Sequence, residues 1–97
     1  MLVALCSFDL RIPGCTSLKE KRHVLKTLTA SLRSRFNVSV AEVDHQDLWQ
    51  RSTIAVSAVA GDAFHARRVL HEVEKFVDRF GRTELIDSDV SLHYPED

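Results

Sequence analysis

The sequence predicts an α+β domain in which two helices cover one four-stranded sheet, in the order strand, helix, strand, strand, helix, strand. Two segments carry an apolar stripe at helical spacing, and four others are rich in β-branched residues or alternate apolar with polar positions. Glycine, proline or asparagine stands at most junctions between them. A chain of 97 residues has room for one core, so we predict a single domain over residues 1–97.

The first strand and the first helix are defined by two different periodicities. Every even position from Leu2 to Ile12 is apolar or cysteine, which makes the even face the core face. Pro13-Gly14 ends this strand. Ser17 and Glu20 form a capping box, in which each side chain satisfies a backbone donor at a helix start. Apolar residues then recur at helical spacing, which predicts a helix from about Leu18 to Arg35.

Two strands follow, joined by a polar loop. The segment from Val38 to Val43 is rich in β-branched residues and predicts strand two. Its apolar parity changes between Val40 and Ala41, which fits either a bulge or an exposed strand end. Strand three runs from Arg51 to Ala60, after the polar loop from Asp44 to Gln50.

The second helix has the clearest pattern in the chain. Gly61-Asp62 offers a turn and an N-cap, and an apolar stripe then runs from Ala66 to Phe80. The last strand ends before Pro95, and its core face is predicted to carry the even positions, Ile86, Ser88, Val90, Leu92 and Tyr94.

Two strand-helix-strand units joined by a hairpin predict a ferredoxin-like βαββαβ two-layer sandwich, with a four-stranded antiparallel sheet and both helices on one face. We expect strands one and three in the centre, running parallel to each other, with strands two and four at the edges. Pairing of strands one and four should bring Arg11 toward Asp87 or Asp89.

The sheet face without helices carries more apolar side chains than water favours, among them Val3, Leu5 and Val59. This pattern predicts that a partner covers the face, and a homodimer is the expected form. Trp49, in the polar loop, either stacks on a base or anchors a partner, or else folds back over the sheet edge. The candidate partner-contact residues are therefore Val3, Leu5, Trp49 and Val59.

Charge is unevenly distributed although the net charge is only −1. The segment from Ser17 to Arg35 has six basic residues against one acidic residue, whereas residues 62–97 have five basic and nine acidic. Cations in the first turns of a helix oppose the helix dipole, and such a local conflict can mark an anion site. The candidate anion- or nucleic-acid-binding residues are Lys19, Lys21, Arg22 and Lys26. The alternative is a solvated helix end whose lysine stems cover apolar surface.

Other classes of function have weak support. Asp44, His45 and Asp47 include metal-ligand types, but without a fourth partner they favour a polar turn, so no metal is expected. No nucleophile and base stand at a catalytic spacing, and no glycine-rich phosphate loop occurs, so neither enzymatic activity nor a cofactor is expected. Two cysteines make no disulfide framework, and no run approaches the roughly 20 apolar residues of a membrane span. We therefore expect a cytoplasmic protein without a membrane partner.

The chain resembles the YlxP-like family of uncharacterised bacterial proteins over residues 1 to about 60. The segments that carry the resemblance are Ile12-Pro13-Gly14, Ser17 to Arg22, Arg35 to Glu42, and Leu48-Trp49-Gln50. Cys15 departs from the family pattern, so no redox role is transferred to it. The resemblance implies a ferredoxin-like fold, a bacterial cytoplasmic protein, and genes that tend to lie beside those for translation initiation and ribosome maturation. It implies no catalytic residues.

Two functional expectations follow. The first is an RNA- or ribosome-associated binding module that uses the basic face of helix one, with ribosomal RNA or a ribosomal particle as its partner. The second is a self-associating protein-interaction or regulatory module that uses the open sheet face.

Overall fold

The structure is a computed structural model that describes residues 1–95. Its elements are β1 (Leu2–Arg11), α1 (Leu18–Arg35), β2 (Ser39–Asp44), β3 (Arg51–Ala60), α2 (Ala63–Arg79) and β4 (Glu84–His93). The strands form one sheet in the order β2-β3-β1-β4, and every neighbouring pair is antiparallel. The predicted α+β, ferredoxin-like βαββαβ fold is confirmed.

The expectation that the two central strands run parallel is wrong, because β1 and β3 pair antiparallel from Leu2↔Ala60 to Arg11↔Arg51. The reason is topological. The α1 crossover returns the chain so that β2 runs in the same direction as β1, and the β2–β3 hairpin then reverses it. A strand that follows one crossover and one hairpin must therefore oppose β1.

The core lies between the helices and one face of the sheet. All even positions from Leu2 to Ile12 are at most 2% exposed, which confirms the predicted core face of β1. The helices add the apolar rows that their periodicity predicted, which are Val24, Leu25, Leu28 and Leu32 from α1, and Ala66, Leu70, Val73 and Val77 from α2.

Both helices begin at the predicted caps. The Ser17 hydroxyl oxygen accepts from the Glu20 backbone N–H at 3.1 Å, and the Asp62 carboxylate accepts from the His65 N–H at 2.9 Å. The Glu20 carboxylate, however, accepts from the Thr16 N–H at 3.3 Å, one residue before the cap. The caps fix where each helix starts and therefore which side chains its outer face presents.

The two edge strands are irregular where the central strands are regular. The β2–β3 register shifts between Glu42 and Asp44, beyond the parity change at Val40 and Ala41, where pairing is regular. Val40 is buried whereas Ala41 and Val43 are exposed, so the change in β2 reflects an exposed strand end. The β1–β4 register shifts beside Asp9 and Leu10. Consequently Leu85 packs against the core whereas Ile86 is 44% exposed, and the predicted core position of Ile86 is wrong.

The same shift changes the partner of Arg11. Its Cα pairs with Glu84, and its guanidinium lies 3.7 Å from the Glu84 carboxylate. The expected pairing of β1 with β4 is confirmed, but an ion pair of Arg11 with Asp87 or Asp89 is not formed, because Asp87 pairs with Asp9 and Asp89 with Ser7.

Candidate nucleic-acid interface

The outer face of α1 presents a row of exposed cations, which we call the cationic stripe: Lys19, Arg22, Lys26 and Arg33. Spacings of three, four and seven residues place these side chains on one side of a helix. At a rise of 1.5 Å per residue the stripe is about 21 Å long. Within residues 1–95, the ion pairs that form do not involve Lys19, Arg22 or Lys26.

Lys21 does not belong to this surface, although the sequence assigned it there. Its side chain is 1% exposed, and its Nζ lies 2.9 Å from the Glu42 carboxylate. The same ammonium donates to the backbone carbonyl oxygens of His45 at 2.5 Å and Gln46 at 3.4 Å. The charge of Lys21 is therefore used inside the protein, and its assignment as an anion-facing residue is wrong.

Helical phase explains this burial and could have predicted it. Lys21 stands three residues after Leu18 and four before Leu25, which puts it on the apolar side of α1. Arg22 and Lys26 are rotated away from that side. Charge alone groups the four predicted residues on one surface. The period of the helix separates Lys21 from the other three.

The ion pair of Lys21 joins three elements. Glu42 comes from β2, and its carboxylate also accepts from the fully buried Ser52 hydroxyl of β3 at 2.7 Å. His45 and Gln46 belong to the β2–β3 loop, which spans residues 45–50. Lys21 thus fastens the start of α1 to the end of β2 and to this loop.

Two arginines near the end of α1 have different surroundings. The Arg33 guanidinium donates to the Val40 carbonyl oxygen at 2.7 Å, so this end of the cationic stripe leans toward the β2 edge of the sheet. The Arg35 guanidinium lies 4.9 Å from the centre of the Phe76 ring on α2. The stripe therefore faces outward and toward β2, and Arg35 lies outside it.

The first turn of α1 is partly neutralised by Glu20. Its carboxylate accepts from the backbone and the hydroxyl of Thr16, each at 3.3 Å, and lies 3.8 Å from the Arg82 guanidinium. An acidic group already occupies the helix start, where the dipole favours one. The length of the cationic stripe, rather than the helix terminus, is thus the feature that suits a polyanion.

The β2–β3 loop carries two exposed apolar side chains, Leu48 at 48% and Trp49 at 50% exposure. His45 adopts the left-handed backbone conformation with φ 61°, and its carbonyl oxygen accepts from the Leu48 N–H at 3.1 Å. Trp49 is not part of the core cluster of buried residues. Half of the Trp49 side chain is therefore accessible to a partner.

The open sheet face is apolar near one end of β1. Leu5 is 39% exposed, Val59 is 70% exposed, and Val3 is half-buried. Two shallow hollows of about 200 and 220 Å³ flank Leu5, one over β2 and β3 and the other over β4. Small side chains form much of the floor of both, such as Ala55, which lines each of them.

Other parts of the chain carry less chemistry. The Asp44 carboxylate accepts from the His45 N–H at 2.7 Å, and over residues 1–95 no group of three or more potential metal ligands comes together. None of the helices described is long and apolar enough to cross a membrane. Burial, together with the carboxylates of Glu74 and Asp89, raises the pKa of the Cys6 thiol to about 12, which keeps it protonated and poorly nucleophilic at neutral pH.

Comparison with known proteins is consistent with the resemblance seen in the sequence. The model of the family described as proteins of unknown function, DUF503, matches residues 3–90. A Bacillus subtilis (strain 168) protein named "Uncharacterized protein YlxP" is 40% identical over 68 residues, which cover 70% of this chain and 74% of that protein. The resemblance to a YlxP-like family is confirmed.

Similar solved structures share the fold at low identity. The de novo designed protein Foldit4 has a TM-score of 0.55 at 9% identity, with 99% of this chain and 100% of that chain covered. SnoaB, a cofactor-independent oxygenase from Streptomyces nogalater, has a TM-score of 0.52 at 15% identity, covering 99% and 94%. A C-terminal segment of the alpha subunit of aIF2 from Pyrococcus abyssi has a TM-score of 0.50 at 16% identity, covering 97% and 50%. These likenesses concern the fold alone.

Proposed function

This chain belongs to the DUF503 family of proteins of unknown function, and we propose that it is a cytoplasmic RNA-binding module that contacts RNA phosphates through the cationic stripe. The observation that carries the proposal is the row of exposed cations on α1 without carboxylate partners among residues 1–95. Cations that are already paired gain little from a phosphate, whereas unpaired ones release the counterions of the nucleic acid.

The distribution of charge supports a single orientation for the polyanion. The net charge is −1, so the protein as a whole does not attract RNA. The carboxylates of β4, Glu84, Asp87 and Asp89, lie on the edge strand farthest from β2, and α1 packs over β2. RNA would therefore approach from the side of α1 and β2 and avoid the edge formed by β4.

Ribosomal RNA, free or within a ribosomal particle, is the RNA class that we propose. Its support is the gene neighbourhood that the YlxP-like resemblance implies, because genes beside those for translation initiation and ribosome maturation often serve the same particle. Phosphate contacts position a protein on RNA without reading its sequence, so the cationic stripe accounts for affinity.

The test compares two variants that lose the same charge. Arg22→Ala/Lys26→Ala removes two cations of the stripe, and Arg67→Ala/Arg68→Ala removes two exposed arginines of α2. A fluorescently labelled ribosomal RNA fragment is titrated with each protein at several salt concentrations. We expect the first variant to bind more weakly and to lower the salt slope by about one unit per lost contact, while the second stays near wild type.

Circular dichroism serves as the fold control for both variants, and alanine favours the helix at each position. Sedimentation with ribosomal particles at two salt concentrations extends the test to the assembled partner. Equal losses in both variants would show that only total charge matters, and a wild-type protein that binds no RNA would refute the proposal.

A second candidate function is self-association through the open sheet face. The specific observation is Leu5, which is partly exposed and lines two hollows on an apolar surface, because a two-fold contact requires one patch that is complementary to itself. Light scattering should then show a dimer that Leu5→Lys converts into a monomer. A wild-type protein that is monomeric throughout the micromolar range contradicts this candidate.

A further inference from the structure

The β2–β3 loop, which carries Trp49, is joined to the segment that leads into the first part of the cationic stripe. The side-chain amide of Gln50, the next residue, donates to the Cys15 carbonyl oxygen at 3.1 Å. The Gln50 carbonyl oxygen accepts from the Ile12 N–H at 3.0 Å. Ile12 and Cys15 lead directly into α1, whose first exposed cation is Lys19. The loop that carries the indole is therefore hydrogen-bonded to the segment that starts the helix.

The buried ion pair of Lys21 makes this arrangement a fixed one. Lys21 holds the loop through the carbonyl oxygens of His45 and Gln46, and it holds β2 through Glu42. Arg22, its neighbour in sequence, projects from the exposed side of the helix. A side chain that fastens the loop and a side chain that faces solvent thus leave adjacent positions of α1, so the loop that carries the indole is attached at the end of α1 where Lys19 and Arg22 stand.

We infer that Trp49 and the cationic stripe form one site for single-stranded RNA, in which an unpaired base stacks on the indole while phosphates contact Lys19 and Arg22. This inference rests on the proposed RNA-binding function and adds the class of RNA. Aromatic platforms beside a cationic groove are the common means of holding single strands, since every base has a face to stack. In a duplex the base faces are already stacked on one another, so no base face is free to stack on the indole of Trp49.

Exposure of the indole fits this role better than a packing role. Trp49 is 50% exposed beside the 48% exposed Leu48. The backbone on both sides of them is hydrogen-bonded to the rest of the protein, through the carbonyl oxygens of His45 and Gln46 and through that of Gln50. The loop backbone is held on both sides of these two side chains, which remain accessible, as at a binding surface.

The chain supplies its own reporter for the test, because Trp49 is the single tryptophan. Its fluorescence is recorded at fixed salt while one of two RNAs of the same composition is added: a single-stranded oligonucleotide, or a hairpin closed by a non-nucleotide linker so that all of its bases are paired. Affinities for both RNAs are measured by anisotropy of a labelled strand for wild type, Trp49→Ala and Trp49→Phe. We expect the single strand to quench the indole and to bind more tightly than the hairpin.

Trp49→Ala should lower the affinity for the single strand by about 5- to 100-fold, and Trp49→Phe should retain part of it, since a smaller ring still stacks. The matched control is Phe64→Ala. Phe64 is an aromatic residue of 71% exposure at the start of α2, close to the opposite end of β3 from Trp49. This variant should bind as wild type does, and thermal unfolding should show all three variants folded.

The outcomes separate this inference from the proposed function. Salt-dependent binding that is equal for hairpin and single strand, or unchanged in Trp49→Ala, overturns the role of Trp49 and leaves phosphate binding by the cationic stripe in place. An equal loss in Phe64→Ala also overturns it. A wild-type protein that binds neither RNA overturns both.

Discussion

The two edges of the sheet differ in the charged side chains that surround them. The β2 edge lies beside α1, where Arg33 donates to the Val40 carbonyl oxygen and Lys21 holds the β2–β3 loop. The β4 edge carries Glu84, Asp87 and Asp89 and includes no lysine or arginine. Unpaired strand edges invite pairing with other chains, and charged side chains discourage it. The charged side chains of β4 itself are all carboxylates, whereas the β2 side is flanked by the cationic stripe of α1.

The comparison also separates two uses of positive charge within a single helix turn. Lys21 is buried, paired and surrounded by carbonyl oxygens, whereas Arg22 is exposed. The first cation contributes to the fold and the second is available to a partner. Substitutions at these two positions should therefore affect different measurements.

The largest expected effect is on stability, in Lys21→Met. Methionine keeps the apolar stem but leaves Glu42 without its ammonium partner and two loop carbonyls without a donor. Removing one member of a fully buried pair costs about 3 to 5 kcal/mol, and because Glu42 is partly exposed we expect about 2 to 3 kcal/mol. The melting temperature should fall by about 10 to 20 °C.

Lys19→Met is the matched control, since it removes an exposed lysine from the same turn of α1. Chemical denaturation of both variants gives the two free energies of unfolding. If Lys21→Met and Lys19→Met destabilise equally, the buried ion pair has no special role at the β2 edge.

Much of this fold follows from periodicity, and the failures have identifiable causes. The bounds of α1 and β3 and the core face of β1 agree with the pattern because each rests on several repeats of one period. Ile86 was assigned to the wrong face because a register shift in an edge pair leaves little trace in a single strand.

The candidate site was predicted in part. Lys19, Arg22 and Lys26 are exposed as expected, and the error over Lys21 arose from grouping residues by charge without regard to helical phase. The pairing of Lys21 with Glu42 joins residues 21 positions apart in different elements, and no local pattern specifies such a contact. Proximity of Trp49 to α1 likewise depends on how the β2–β3 loop folds back, through hydrogen bonds such as that from Gln50 to Cys15.

A smaller effect is expected beside β4, from the Cys6 thiol. Burial, with Glu74 and Asp89 nearby, raises its pKa from 9.0 to about 12. The folded state keeps the thiol proton longer than the unfolded state does, so this contribution is complete below pH 9 and is lost as the pH rises toward 12. The stability of wild type should fall relative to Cys6→Ala by about 1 to 2 kcal/mol at pH 10.5.

Urea unfolding of both proteins at pH 7, 9 and 10.5 gives this difference directly. Other groups that titrate in alkali are present in both chains and cancel in the comparison. A difference that stays constant across the three pH values would mean that the thiol titrates alike in the folded and unfolded states.

The smallest effect concerns the carboxylates of the β4 edge, in Asp87→Asn/Asp89→Asn. The β4 strand lies three strand spacings from β2, or about 14 Å, and α1, which carries the cationic stripe, packs over β2. This separation exceeds the Debye length of about 8 Å at physiological ionic strength. If RNA is held by the cationic stripe, removing the two charges should change the affinity for RNA by less than about twofold at physiological ionic strength. The change should be larger at 0.01 M salt, where the Debye length is about 30 Å.

Titration of labelled RNA at both salt concentrations, beside Arg22→Ala/Lys26→Ala as the positive control, measures the change. A tenfold gain in affinity at physiological salt would instead place the RNA against β4 and reverse the contrast between the two edges.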